Sequence, residues 1–211
     1  MGGDEMGKIP HDLMEKYVYG RLGRYRDDVL VLSKPGVDVS VTKIDRDIVM
    51  VSHLDPIVGA VEKIGWLAVH IACNDIATSG IEPRWILSLI LLPEDWKPEM
   101  LDKITFDIDS AAKELDVSII GGHTGYAPGL NRPLVSISAI GIGRYDDIIL
   151  SSMVKPGDLI MVTKGIGLEG TAILASDFKD ILISKDVSSD SIKNALNYFR
   201  EISIVKEAIS L

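Results

Sequence analysis

A mixed α/β (α+β) chain is predicted by three observations in the sequence. Apolar residues recur at three- and four-residue spacing across residues 61–79, the run ILSLILL occupies residues 86–92, and the elements up to about residue 145 follow the order β-β-α-β-α-β-β. Residues 9–22 read as a short helix with Leu13, Tyr17 and Val18 on one side. Strands are expected at 37–43 and 48–54, the second being IVMVSHL, rich in β-branched residues. In the helix at 61–79, Val61, Ile64, Leu67, Ala68, Ile71, Ala72 and Ile76 form the stripe; Gly80 stands where a left-handed cap belongs and Pro83 prevents continuation. The run at 86–92 suits a strand buried on both faces. Pro98 opens the next helix, whose stripe is Leu101, Ile104, Ile108, Ala111 and Leu115. Residues 117–121 and 134–143 read as strands around a Gly-rich loop. A new unit begins near residue 151, with a turn at Pro156-Gly157-Asp158, a buried strand at 159–163 and a helix after GIGLEG.

Composition sets limits on function. Thirty-one acidic residues against 22 basic ones give a net charge of −9, which argues against a nucleic-acid binder, because such affinity comes from Lys and Arg neutralising phosphates. The single cysteine, Cys73, can form no internal disulfide and has no partners for a structural zinc site, so it reads as a small apolar residue. No apolar run is long enough for a membrane span, and MGGDEMGKIP has no signal-peptide core, so a cytoplasmic protein is the default. All 19 glycines and 9 prolines lie at or before Gly170, so the remainder is expected to be mostly helical.

Two glycine patterns resemble phosphate loops. Residues 2–8 (GGDEMGK) have P-loop spacing, but Ile9 replaces the metal-binding hydroxyl and no strand can precede them. Residues 165–170 match G-x-G-x-x-G, yet further β-α units are absent and Glu169 would point a negative charge at a pyrophosphate. A tight strand-to-helix turn is the plainer reading.

The carboxylates fall where elements end. Asp55 closes a strand before Pro56 and Gly59, Asn74-Asp75 lies near a helix C-terminus where a carboxylate opposes the dipole, and Asp27-Asp28 precedes VLVL. Singly each reads as a cap or solvated residue; together they supply oxygen ligands of the kind that hold Mg2+ on a polyphosphate. Gly121-Gly122-His123-Thr124-Gly125 reads as a turn whose N–H groups face an anion, with His123 a ligand, proton shuttle or phosphate contact, or simply a buried hydrogen-bonded histidine. His70 and Asn74 are one helical turn apart and read as packing residues, while His53 alternates with its strand neighbours.

Taken together, these blocks resemble the aminoimidazole ribonucleotide synthase-like (PurM-like) superfamily of ATP-using enzymes, which includes thiamine-monophosphate kinase, selenophosphate synthetase and the hydrogenase maturation protein HypE. The resemblance runs through His53-Leu54-Asp55-Pro56-Ile57, Ile64-Gly65-Trp66-Leu67-Ala68-Val69, Cys73-Asn74-Asp75-Ile76-Ala77, Gly80-Ile81-Glu82-Pro83, Gly121-Gly122-His123-Thr124 and Pro156-Gly157-Asp158. The sub-type it is most similar to is the archaeal HypE-like group, which the segment KGIGLEGTAILA at 164–175 also resembles.

The resemblance implies an N-terminal domain at 1–150 that binds ATP and Mg2+ and forms a homodimer, with 151–211 the opening part of a second, truncated α+β domain. By matching position it implies Asp28, Asp55 and Asp75 as Mg2+ ligands, Asn74 near the phosphates, and Gly121, Gly122 and Thr124 lining the same site. One departure stands out: the family's Gly-Gly-Asp-Thr is Gly-Gly-His-Thr here, so a carboxylate is replaced by His123, which the reading turns into an acid/base or phosphate contact. The implied chemistry is phosphoryl transfer from ATP to an amide- or carbamoyl-type oxygen of a small molecule or protein-thiol-bound substrate, without nucleic acid or membrane as partner. The alternative is a non-catalytic dimeric scaffold that keeps the fold.

Overall fold

In the computed structural model, which describes residues 9–32, 34–58, 60 and 62–210, a mixed six-stranded sheet organises the chain. Its strands are β1 (Val29–Val31), β2 (Ser40–Lys43), β3 (Ile48–Ile57), β4 (Pro83–Leu92), β5 (Ser118–Tyr126) and β6 (Leu134–Arg144), lying side by side in the order β1-β2-β3-β6-β4-β5. Neighbours are antiparallel except β4 and β5, whose parallel pairing needs a crossover helix. The strands expected at 37–43 and 48–54 are β2 and β3, and the VLVL segment adds β1.

Strand periodicity decides which residues face the core. Val135, Ile137 and Ala139 of β6 are fully buried. His53 pairs with Ala139 and Asp55 with Ile137, so both point to that covered face, whereas Leu54 pairs with Ser138 on the other side. Helix α2 (Ile64–Ala77) covers the first face, burying Leu67, Ala68, Ala72 and Ile76. Val61, expected in this helix, lies outside the described residues. Gly80 takes the left-handed φ of 79° that the sequence predicts for it. The crossover helix α3 (Pro98–Glu114) starts on Pro98 and buries Ile104, Ile108 and Ala111 against α2. A glycine is required where α2 meets α3: a Cβ on Gly65 would lie 2.4 Å from the Ile104 carbonyl oxygen.

Four expectations are corrected. The run at 86–92 is covered on one face only: Ile86, Ile90 and Leu92 are buried while Leu87 is exposed, because helices cover a single side of the sheet. The Gly-rich stretch 121–125 is no loop. It continues β5 as an edge strand, held by pairing with β4 from Leu87 to Leu91. The run at 159–163 forms no strand, and Leu159 and Ile160 are 91% and 95% exposed, because no described strand lies beside it to pair with. At the start, a short helix α1 (His11–Met14) passes into a wider π-type turn at Glu15–Tyr19, with Leu13, Tyr17 and Val18 all exposed.

The Gly/Pro-free segment is helical as expected: α4 (Leu168–Asp177), α5 (Lys179–Ser184), α6 (Ser189–Asn197) and α7 (Val205–Ser210). Ser188 caps α6 by accepting a hydrogen bond from the Ser191 N–H at 3.1 Å. Cys73 is wholly buried and burial pushes its thiol up to about 12, in keeping with a packing role.

A polar clamp ties α2 to α3. Glu114 Oε2 accepts from Trp66 Nε1 at 3.0 Å and from His70 Nε2 at 3.2 Å. His70 is 2% exposed, and burial lowers its pKa from 6.5 to about 4 against the pull of Glu114. A group with a depressed folded-state pKa gives its full stabilisation above its unfolded value and loses it as pH falls through the folded one. Urea midpoints should therefore decline from pH 6.5 toward about 4, and His70→Gln should flatten that decline. Equal slopes for both proteins would refute the assignment.

Candidate metal and nucleotide site

Two residues apart on β3, His53 and Asp55 share a face, and the last turn of α2 brings Asp75 to them. Their ligand atoms all lie within 4.8 Å of one another, the one such group of His, Cys, Asp and Glu side chains among the described residues. His53 Nε2 is 2.9 Å from Asp75 Oδ2. The other ring nitrogen, Nδ1, is bonded to the Asp38 carbonyl oxygen, which can only accept. Nδ1 is therefore the protonated position in the neutral ring, and Nε2 presents its lone pair to the carboxylates' side. Burial works against a charge on His53, but Asp75, the Asp38 carbonyl and Asp55 outweigh it and raise its pKa above 6.5. A cation would compete for the same Nε2 lone pair.

Further negative charge comes from α4. Glu169, in the first turn of that helix, is held above the usual carboxylate range by burial and by Asp55 and Asp75. Glu169 thus senses the charge of Asp55 and Asp75. That arrangement favours a bound divalent ion. A cleft of about 420 Å³ opens beside His53, lined also by Asp38, Ser40, Ser52, Leu54 and Ser138. Glu169 itself lines a second pocket of about 310 Å³ with Asn74, Lys164 and the glycines of the 165–170 loop. No strand precedes that loop among the described residues, so it lacks the strand-to-helix setting of a dinucleotide turn. The P-loop-like residues 2–8 lie outside the described residues.

The other site residues read from the sequence are dispersed. Asp28 is bonded to Arg26 through Nε at 3.0 Å and Nη2 at 2.6 Å, beside Lys43 at the far end of β2. Lys43 pairs with Val49, which puts Asp28 roughly 20 Å along the strands from Asp55. His123 pairs with Leu89, which pairs with Ser136, which pairs with Pro56, so it belongs to the face opposite Asp55 and three strands, about 14 Å, away. Gly122 and Thr124 are also on β5, and Gly121 pairs with Leu87 on the uncovered side. At Gly122 (φ 153°) a Cβ would lie 2.0 Å from the Ser88 carbonyl oxygen, so that glycine is needed for strand packing. Asn74 lines the 310 Å³ pocket while its amide donates to the Ile202 carbonyl at 3.0 Å and accepts from the Ile204 N–H at 2.9 Å.

Those two bonds make Asn74 the buried pin between α2 and the segment before α7. Asn74→Ala strands a carbonyl and an N–H, at a cost of about 2 kcal/mol. Hydrogen exchange should then rise at Ile204 and through α7 while β3 and β6 stay protected; uniform protection would contradict the role.

His53 and Glu169 are the two members the sequence reading did not place in the site. Alternation from Asp55 was the available signal for His53. For Glu169 it was an acid in a helix's first turn directly after a Gly-rich loop.

The chain is similar to several known proteins. The family model described as AIR synthase related protein, N-terminal domain, matches residues 31–143. A carbamoyl dehydratase HypE of Rhizobium leguminosarum bv. viciae is 30% identical over 192 residues, covering 90% of this chain and 53% of that protein. A hydrogenase expression/formation protein of Methanocaldococcus jannaschii is 37% identical over 113 residues, covering 54% of this chain and 34% of that one. Among solved structures, AaThiL complexed with AMPPCP and TMP superposes with a TM-score of 0.67 at 16% identity, over 82% of this chain and 55% of that chain, a likeness of fold. The chain spans about half the length, or less, of the curated relatives it matches.

Proposed function

The chain belongs to the AIR synthase related family through its N-terminal domain, and from that premise we propose that it binds ATP with Mg2+ and transfers a phosphoryl group to an amide- or carbamoyl-type oxygen. The observation that carries this reading is the convergence of His53, Asp55 and Asp75 within 4.8 Å. Two carboxylates and one imidazole fit a hard divalent ion, Mg2+ or the more imidazole-tolerant Mn2+. The relative named a carbamoyl dehydratase supports the substrate class, and the AMPPCP complex of the fold neighbour supports the nucleotide.

In this reading Asp55 from the sheet and Asp75 from α2 would hold the cation, and His53, its ring oriented by the Asp38 carbonyl, would offer Nε2 as a further ligand. When bound, the cation neutralises charge on the phosphates. Asn74 holds the segment containing Ile202 and Ile204 against the site. Residues 1–150 carry the three ligands, and Glu169, whose charge reaches Asp55 and Asp75, belongs to a second unit at 151–211. A homodimer through the uncovered sheet face is part of the proposal; Leu54 and Leu87, exposed on either side of Ser138, support it.

Calorimetric titration with ATP, with and without Mg2+, tests the proposal. Saturable binding that needs the metal is the expected result, and a folded dimer that binds no ATP under either condition sinks it. A second reading, nucleotide binding without turnover, is favoured by one observation: His123 and Asp55 lie on opposite faces of the sheet. Release of the terminal phosphate in the presence of carbamoylated thiols separates the two.

A further inference from the structure

Toward the other end of α2, where Lys63 lies about 18 Å from Asp75 by helix rise, another pocket has ligand-binding chemistry of its own. It measures about 290 Å³ and is lined by Lys63, Trp66 and His70 of the α2 region, Glu114 of α3, and Phe199, Arg200 and Ser203 of the tail. Trp66 and Phe199 meet edge to face with centroids 6.4 Å apart, and Trp66 lies against His70 at 3.8 Å. The Lys63 ammonium sits 5.7 Å from the Trp66 centroid and 5.2 Å from that of Phe199. Lys63 holds this place from a left-handed backbone, φ 54°, a conformation costly for a non-glycine residue.

The charge of the lining indicates what is missing. Glu114 already receives N–H groups from Trp66 and His70, so the lining keeps two cations, Lys63 and Arg200, against one carboxylate that neutral donors already engage. Cations with aromatic walls suit a planar ring carrying a negative group.

The geometry points to a binding site here for a small anion with a planar ring, carrying a phosphate or carboxylate, held by Lys63 and Arg200 against Trp66 and Phe199 and independent of the Asp55–Asp75 centre. The test is titration of the intact chain in chelator, without Mg2+, using phenyl phosphate, benzoate and inorganic phosphate as probes. Trp66 emission and heat are the readouts.

Saturable binding of a ring-bearing probe is expected, tighter than inorganic phosphate, with the stronger of phenyl phosphate and benzoate identifying the anionic group. Arg200→Gln and Lys63→Gly should each weaken it about ten-fold, as loss of one charge-assisted contact does. Glycine relieves the left-handed strain at 63, and Arg200 is exposed, so both variants should fold. Asp55→Asn should leave this affinity unchanged. The site is refuted if none of the probes saturates, if both cation variants bind as the parent does, or if Asp55→Asn removes the binding.

Discussion

Asp75→Asn is expected to weaken Mg2+ binding about 100-fold, roughly 2.7 kcal/mol, while leaving the fold as stable as before or more so. The substitution keeps the shape of the side chain and removes its charge. A divalent ion depends on that charge, since a neutral amide oxygen is a far weaker partner than a carboxylate. The apo protein has the opposite interest. Asp75 opposes the dipole at the C-terminal end of α2 and repels Asp55 and Glu169, which raises the pKa of the latter. Its ion pair with His53 offsets part of that cost. The signature is thus a loss of cation affinity by calorimetry together with an unchanged or higher urea midpoint. Unaltered affinity would move the metal site elsewhere, and a collapse of stability would make Asp75 a structural residue.

A large effect on stability is expected at Gly65. Alanine is the better helix former by about 1 kcal/mol, so local propensity favours Gly65→Ala. Packing decides the other way. The added Cβ would stand 2.4 Å from the Ile104 carbonyl oxygen, 3.0 Å from Ile108 Cγ1 and 3.1 Å from Asp107 Cβ. The first of these is backbone in α3 and cannot rotate aside, so the two helices must separate along buried Ile104 and Ile108. Overpacking of this kind costs about 1–3 kcal/mol and more when backbone must move, giving a net loss of about 2 kcal/mol. Gly170→Ala is the control: it lies in α4 with nothing within 4 Å of where the new methyl would stand, and should gain up to about 1 kcal/mol. Urea denaturation of both variants checks the contrast, and a Gly65→Ala protein as stable as the parent would refute it.

What was legible in the sequence was local. The three- and four-residue spacing of Leu67, Ala68, Ile71, Ala72 and Ile76 marks α2, while Gly80 and Pro98 mark a helix end and a helix start, because caps and periodicity act within a turn or two. Pairing is not local. Gly121, Gly122 and Gly125 look like a loop by composition, and only the neighbouring β4 holds them extended. Leu159, Ile160 and Val162 look like a strand, and without a neighbour they form none.

The site shows the same division. Asp55 and Asp75 stand out as carboxylates at element ends. The participation of His53 needs the β3–β6 register that turns it toward α2, and that of Glu169 needs α4 to be docked. Membership of the family could be read from the ordered blocks, since these preserve both residue type and spacing.

The place of β6 also governs when this protein can fold. It is the last of the six strands in chain order yet lies inside the sheet, pairing Ile48 with Arg144 and Ile57 with Val135 on one side and taking β4 on the other. On the ribosome, β3 and β4 are therefore made long before the strand that joins them exists. Their apolar faces must wait through the synthesis of α3 and β5, which makes closure a late, long-range and slow event. Arrested nascent chains that stop short of residue 134 should remain protease-sensitive throughout, and protection of β3 and β4 should arrive in one step once residue 144 has cleared the exit tunnel.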